Sequence, residues 1–371
     1  MENVFTKYQK RINPTQQNLE LWSLTIDQGL VAKTKRYDRS FLVRKNDIFN
    51  LVPKGYFVYN PMNITLGTID VNKYHSIAVS GYYIVLKSND QFNVAFLASL
   101  LHTSSMINKY KSFSTGSLLE KQRLQFPNFA KVKIISPRLS EQTKIGLLMN
   151  QVNNLIDLQQ RKLEQLKQLK KAMLQQLFVD KNNKQPNLRF KNFKGNWEQH
   201  RLEEVAQVTM GQSPSSKNYT DNPNDYVLVQ GNADLKSNRI SPRVWTKEVT
   251  KQVHKGEIIM TVRAPVGYLA MANMDAVIGR GVAAIDGNKY LYYLLQTKLM
   301  DRTWEKLSSG STFESISSNG IKNLEIKVTE TEEEKLIAKL MDTVTYFVTL
   351  QKNNLTQLTT LKNYLLQNLF I

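Results

Sequence analysis

Apolar residues recur at steps of three and four through two long stretches of this chain, Leu139–Val179 and Thr331–Ile371. The first stripe reads Val152, Ile156, Gln159, Leu163, Leu166, Lys170, Met173, Leu177. The second reads Val344, Val348, Gln351, Leu355, Leu358, Lys362, Leu365, Leu369. Such spacing keeps a stripe on one helical face, and a near-heptad stripe is hidden by winding one helix against another. Neither stretch contains Pro, so each is expected to run unbroken; about 36 residues of helix make a rod of roughly 55 Å. Both stripes are interrupted by the same polar pair, Gln159/Gln351 and Lys170/Lys362. A polar seam residue either fixes register and partner at a cost in stability or snorkels to water, and both readings stay open.

The two stretches are copies of one another. With an offset of 192 residues, 16 of 39 positions are identical, and most mismatches fall on polar positions. A shared buried face with diverged polar faces is what an internal duplication leaves behind. The economical arrangement packs the two helices against each other, antiparallel, as a coiled coil.

Outside the stripes the pattern changes to short β-branched or aromatic runs punctuated by Gly, Asn and Asp, as in "GYYIVL" and "EIIMTV"; these read as strands. Each half then carries one helix-like run, "NVAFLASLLHTSSMINKYKS" and "KYLYYLLQTKLMDRTWEKL". The duplication extends weakly into these parts. Gly67 matches Gly267 and Gly81 matches Gly281, "STGS" faces "SSGST", and "VRKNDIF" from Val43 resembles "VHKGEII" from Val253. The expected fold class is α+β: two mixed α/β domains separated by two long helices that form an antiparallel coiled coil. The expected boundaries are a first domain over 1–138, a helix over 139–180, a linker over 181–196 ("DKNNKQPNLRFKNFKGNW" and its neighbours), a second domain over 197–328 and a second helix over 329–371.

Charge narrows the class of partner. The net charge of +19 divides as +11 over 1–138, +2 over 139–180, +7 over 181–327 and −1 over 328–371. The surplus therefore sits on the domains and not on the helices, which favours a polyanion, of which nucleic acid is the commonest soluble one. The chain has no Cys, which excludes disulfides, thiolate metal sites and a Cys nucleophile and suits a reducing cytoplasm. No apolar run approaches the roughly 20 residues of a membrane span, so a cytoplasmic protein without a membrane partner is expected.

Candidate chemistry is sparse. His75, His102, His200 and His254 are scattered without metal-ligand spacing, so no metal site is expected. "NPMN" at Asn60–Asn63 ends without the ring that would stack on a flipped base. "STGSLLEK" and "SSGSTFES" lack the Lys-Ser/Thr of a phosphate loop. No catalytic residue is assigned. Contacts to DNA would come from Lys and Arg on phosphates and from Arg, Lys, Asn, Gln and Ser on base edges. In the first half the densest cluster is "AKTKRYDRSFLVRK", with Lys33, Lys35, Arg36, Arg39, Arg44 and Lys45. In the second, "GQSPSSKNY" supplies Gln212, Ser213, Ser215, Ser216, Lys217 and Asn218, and "VQGNADLKSNRISPR" supplies Gln230, Asn232, Lys236, Asn238, Arg239 and Arg243. Arg263 and Arg280 complete the set.

Several motifs in their order give the chain a family likeness: "ISPRLSEQTKI" at Ile135–Ile145, "PNLRF" at Pro186–Phe190, "WEQHRLEEVAQVTMGQSPSS" at Trp197–Ser216 and the later "SSGST". With the duplicated helices, the chain resembles the specificity subunit of type I restriction–modification systems. The resemblance implies two target-recognition domains, each reading half of a split double-stranded DNA sequence, with helix length setting the gap. It implies no activity in this chain. Two methyltransferase subunits and restriction (translocase and nuclease) subunits would be the partners, carrying S-adenosylmethionine, ATP and Mg. The chain departs from the pattern twice. "VTETEEEKLI" lacks the Pro and Gln of "SPRLSEQTKI", so the second helix is expected to begin differently. No counterpart of "RFKNFKGNWEQ" precedes the first domain, which suggests a shortened reading frame or a different first strand. Two other readings fit the same residues: a shortened, inactive specificity allele, and a coiled-coil scaffold that holds RNA or an acidic protein.

Overall fold

The structure, a computed structural model, describes residues 1–14, 17–26, 28–33, 48–116, 122–180, 183–308 and 315–370. The chain divides into two compact units, Met1–Arg161 with Lys352–Ile371, and Lys162–Gln351. Each long helix contributes to both.

Unit 1 begins with strands β1 (Phe5–Tyr8), β2 (Arg11–Ile12), β3 (Leu21–Thr25), β4 (Gly29–Ala32), β5 (Phe49–Val52), β6 (Phe57–Tyr59), β7 (Ile69–Val71), β8 (Ile77–Ser80) and β9 (Ile84–Ser88). Helices α1 (Val94–Leu100), α2 (Ser104–Phe113) and α3 (Phe126–Lys131) follow. The strands form one sheet in the order β1-β9-β6-β7 and another in the order β2-β5-β8-β3-β4. Strand period explains how the first sheet is buried on both faces. Phe57, Tyr59, Ile84 and Leu86 point into a core with Phe96, Leu97, Tyr110 and Phe129 of the helices. The residues between them, Val58 and Val85, point the other way, to Trp22, Val52, Ile77 and Val79 of the second sheet.

Helix α4 (Leu139–Leu177) leads into unit 2. Unit 2 holds β10 (Glu198–Arg201), α5 (Leu202–Val205), β11 (Gln207–Met210), β12 (Tyr219–Thr220), β13 (Tyr226–Val229), β14 (Leu235–Lys236), β15 (Arg239–Ile240), β16 (Trp245–Thr246), β17 (Gln252–Val253), β18 (Ile258–Thr261), β19 (Leu269–Met271), β20 (Ala276–Ile278) and β21 (Val282–Asp286). Helices α6 (Lys289–Met300), α7 (Thr303–Leu307) and α8 (Ser318–Lys322), strand β22 (Glu325–Val328) and helix α9 (Thr331–Asn368) complete the order. Its sheets run β11-β21-β18-β19-β15-β14 and β12-β16-β13-β20-β17, with β10 and β22 as a separate pair.

The same split of alternate residues recurs. Ile258, Met260, Ala283 and Ile285 face the helices, while Ile259, Val282 and Ala284 face the second sheet. Particular backbone bonds correspond between the two units. The Gly55 N–H donates to the Asn72 carbonyl as Gly256 does to Ala272, and Asn72 donates to Tyr56 as Ala272 does to Glu257. Gly67 and Gly267 both sit in the left-handed region, at φ 88° and 80°, which is where a residue without Cβ is at no disadvantage.

These bonds correct two of the sequence matches. The partner of "VHKGE" is "VPKGY" at Val52–Tyr56, not the "VRKNDIF" segment, because Gly55 and Gly256 close the same turn. Gly81 does not match Gly281. The Tyr83 N–H bonds to the Ser80 carbonyl as Val282 bonds to Gly279, so Gly81 stands where Arg280 does and Tyr82 where Gly281 does. The segment joining Asn72 to Ile77 is one residue longer than its counterpart, which breaks the apparent alignment. Each single helix-like run is also two helices. Thr103 accepts from the Met106 N–H and opens α2, and Arg302 at φ 59° breaks α6 from α7.

The two long helices pack antiparallel. In unit 1, Ile145 and Met149 near the start of α4 share a core with Leu365, Leu369 and Phe370 at the end of α9. In unit 2, Leu174 and Leu177 at the end of α4 share one with Ile337 and Met341 at the start of α9. Every residue of both seams is buried or half-buried. The two helix starts are tied alike despite their different sequences. The Gln142 side chain accepts from the Asn93 N–H, and Glu334 accepts from the Asn288 side chain; Asn93 and Asn288 are the N-caps of α1 and α6. The segment expected to be a linker is docked to unit 2. Arg189 makes two 2.8 Å bonds to the carboxylate of Glu333, and the Leu188 N–H bonds to the Gln176 carbonyl.

Candidate nucleic-acid interface

Seven of the residues singled out in the second half line one cleft of unit 2, about 570 Å³ in volume: Ser213, Ser215, Ser216, Gln230, Asn232, Arg263 and Arg280. Four chain segments build it, and their backbones interlock. After β11 the Gly211 N–H bonds to the Val282 carbonyl and the Gln212 N–H to the Ile278 carbonyl. After β13 the Gln230 and Gly231 N–H groups both donate to the carboxylate of Asp234, at 2.8 and 3.2 Å. Between β20 and β21 the Gly279 N–H bonds to the Val229 carbonyl, and the Arg280 N–H donates to Ser213 Oγ at 3.1 Å. At Gly281 an added Cβ would lie 2.0 Å from the Gln230 carbonyl oxygen; only glycine lets these two segments meet so closely.

The loop between β18 and β19 carries Arg263. Thr261 fixes it, donating to the Pro265 carbonyl at 2.6 Å and accepting from the Tyr268 N–H at 2.9 Å. The Ser215–Asn218 turn is pinned by one carboxylate. Glu248 accepts from the Asn218 side chain at 2.7 Å and from the Ser215 N–H at 2.8 Å. Those hydrogen bonds, the Asn218 one foremost, hold its carboxyl below the usual carboxylate value. Arg263 and Arg280 are exposed, and neither forms an ion pair among the described residues. The cleft is thus a hydrogen-bonded backbone frame presenting guanidinium, amide and hydroxyl groups, with no carboxylate among the described residues of its lining.

The remaining expected residues are not in the cleft. Gln212 lies beside it, its N–H and carbonyl both engaged, the latter by Thr250 Oγ1. Lys217 is exposed on the pinned turn, and the Asn218 amide is occupied by Glu248. Lys236 and Arg239 are opposite one another in the β14–β15 hairpin and exposed. Its two turn residues, Ser237 and Asn238, have φ of 50° and 60°, a tight turn that favours Asn. Asn238 also donates to the Leu269 carbonyl and the Tyr292 hydroxyl, so its side chain holds the fold. Arg243 lies 3.7 Å from Asp234. In unit 1, Lys33 sits 5.6 Å from the centre of the Phe49 ring. Lys35, Arg36, Arg39, Arg44 and Lys45 lie outside the described residues. Sequence reasoning missed Tyr219 and Gly231 as lining residues. The "QGN" after an apolar strand run was the available signal for the second.

Among the described residues no three or more His, Asp or Glu side chains are grouped to hold a metal ion, and no helix is long and apolar enough to cross a membrane.

A duplicated two-sheet unit, each copy joined to paired long helices, defines an internally repeated two-unit class of protein, with a polar cleft bearing two arginines in the second copy. The chain belongs to the type I restriction modification DNA specificity domain family, which matches residues 17–168 and 194–360. It is 29% identical over 239 residues to a protein of Methanocaldococcus jannaschii provisionally described as the MjaX type I restriction enzyme specificity subunit, covering 61% of this chain and 56% of that protein. It is 30% identical over 171 residues to the MjaIX specificity subunit of the same organism, covering 42% and 39%. The chain thus spans about half the length of the curated relatives it matches. Its fold is similar to the crystal structure of a type I restriction–modification S subunit from M. genitalium, with a TM-score of 0.69 at 13% identity over 100% of this chain and 94% of that one. It is also similar to a chain from a type I R-M system solved for its assembly and conformational transition, with a TM-score of 0.59 at 20% identity over 99% and 97%.

Proposed function

We propose that this chain is the non-catalytic specificity subunit of a type I restriction–modification complex. The observation that carries the reading is the unit 2 cleft, where residues from four segments place Arg263, Arg280, Gln230, Asn232 and three serines around one concavity, with no acidic group among its described lining residues. Phosphate and base-edge recognition uses these side chains. Family membership and the duplicated architecture support a bipartite double-stranded DNA target, one half for each unit. The domain limits proposed are 1–138 and 197–328, with spacer helices over 139–180 and 329–371 and the connecting segment over 181–196. Two methyltransferase subunits would dock on the two equivalent units, and restriction subunits would join them. S-adenosylmethionine, ATP and Mg belong to those partners, and the complex works in the cytoplasm.

The test is selection from a randomised duplex pool by the tagged full chain, purified with the subunits it retains. The expected outcome is one bipartite motif whose binding weakens steeply with salt, since each neutralised phosphate contributes about −0.9 to the slope of log K against log salt. Binding without any preferred sequence would refute the reading.

A further inference from the structure

Arginine stands at two places on the rim of the unit 2 cleft where the fold does not require it. The duplicated backbone locates the same places in unit 1. The Ile316 N–H bonds to the Val262 carbonyl as the Leu124 N–H bonds to the Pro61 carbonyl, so Arg263 corresponds to Met62. Arg280 corresponds to Gly81, from the matched turns closed by Val282 and Tyr83. In unit 1 methionine holds the first place, in a loop one residue longer (Asn60 to Thr68 against Thr261 to Tyr268), and glycine holds the second in the matched turn; there the Tyr82 hydroxyl contacts the Met62 sulfur. The arginines therefore serve something other than loop construction.

Their surroundings indicate what. Both are exposed and, among the described residues, without a carboxylate partner. Among its described residues the cleft lining contains no Lys, while Ser213, Ser215, Ser216, Gln230 and Asn232 flank the arginines. Tracks along a phosphate backbone draw heavily on Lys as a point charge, beside Arg, which also pairs with phosphate through two N–H groups. A set of Arg, Gln, Asn and Ser on a fixed frame instead matches the donor and acceptor pattern of base edges, where Arg paired to guanine O6 and N7 is the commonest specific contact.

We propose that the two rim arginines are specificity-determining residues of unit 2 and that at least one of them reads the O6/N7 edge of a guanine in the half-site. The proposal rests on the DNA-reading function above. Its test repeats the duplex selection with the full chain and with Arg263→Ala, Arg280→Ala and, as an exposed control outside the cleft and outside the candidate DNA contacts, Lys255→Ala. The expected result is a wild-type motif with a required G·C pair in one half, relaxed about tenfold or more at that pair in one or both arginine variants. The other half of the motif should stay unchanged, which also shows that the variant chain is folded. An unchanged motif in both arginine variants, or a uniform weakening with a shallower salt slope, would overturn the assignment. A wild-type chain that selects no motif would instead remove the DNA-reading function itself.

Discussion

Arg189 and Glu333 join the segment before β10 to the first turn of α9, and they do so out of water. Their side chains are 11% and 0% exposed. Burial alone would raise the Glu333 pKa, but hydrogen bonds from Arg189 and Thr329 outweigh it and hold the carboxyl below its ordinary value. Removing one partner of a buried pair strands the other, at a cost of about 3–5 kcal/mol. Arg189→Ala should accordingly lower the unfolding midpoint by about 10 °C, read by calorimetry. The pair also sets an acid limit. A depressed folded-state pKa means that the unfolded chain binds more protons below the ordinary value of 4.5. Stability is then fully present above that value and declines as pH falls through the folded pKa. Glu333→Gln should be less stable at neutral pH and flatter below pH 4.5 in urea titrations; parallel wild-type and variant profiles would show that the pair carries no acid-linked stability. The sequence showed "PNLRF" as a motif but not its use, because an Arg and a Glu 144 residues apart have no local pattern that couples them. The cleft was legible in the same partial way. Its polar residues could be named from short clusters, but their convergence depends on which strands neighbour one another.

The long helices were the most legible elements, since a stripe of three-and-four spacing is written into consecutive residues. Every seam position named from the pattern is buried or half-buried. The sheets were less legible, because matches between the copies turn on single-residue differences in loops, as the Gly81 mismatch shows. The seam lysines bear on the choice between snorkelling and specific contact. Lys170 Nζ lies 5.7 Å from the centre of the Tyr293 ring, and burial lowers its pKa against the opposing pull of Asp342. Lys362 is lowered by burial and by Lys73, against Asp157. These are half-buried cations with named neighbours, and burial disfavours their charge. Lys170→Met should raise stability at pH 7 by about 1 kcal/mol, since Asp342 keeps Lys289 as its ion-pair partner. The sign with pH follows from the lowered pKa. Between the folded value and 10.5 the unfolded chain binds the extra proton, so wild-type stability gains from this group as pH rises through that window. Chemical denaturation at pH 7 and pH 10 should show the variant's advantage shrinking; an advantage that stays constant would contradict the burial argument.

At the scale of the molecule, under the proposed DNA-reading function, the duplication and the helices bear on one quantity, the number of base pairs between the half-sites. Each helix gives about half its length to each unit: α4 passes from one to the other after Arg161, and α9 after Gln351. With 39 and 38 residues at about 1.5 Å each, neither contains a Pro or a break that would absorb added length. A seven-residue insertion matching the heptad, placed after Arg161 and after Gln351 together, preserves both seams and adds about 10 Å. If helix length fixes the spacing, the selected motif should keep both half-sites and widen its gap by about three base pairs at 3.4 Å per pair. Insertion into one helix alone misaligns the antiparallel seam and should cost stability without yielding a new motif. The double insertion separates two accounts of the same architecture. A widened gap with intact half-sites makes the helices the measuring element, whereas an unchanged gap would mean that spacing is set elsewhere in the complex, leaving the helices only to hold the units in one chain.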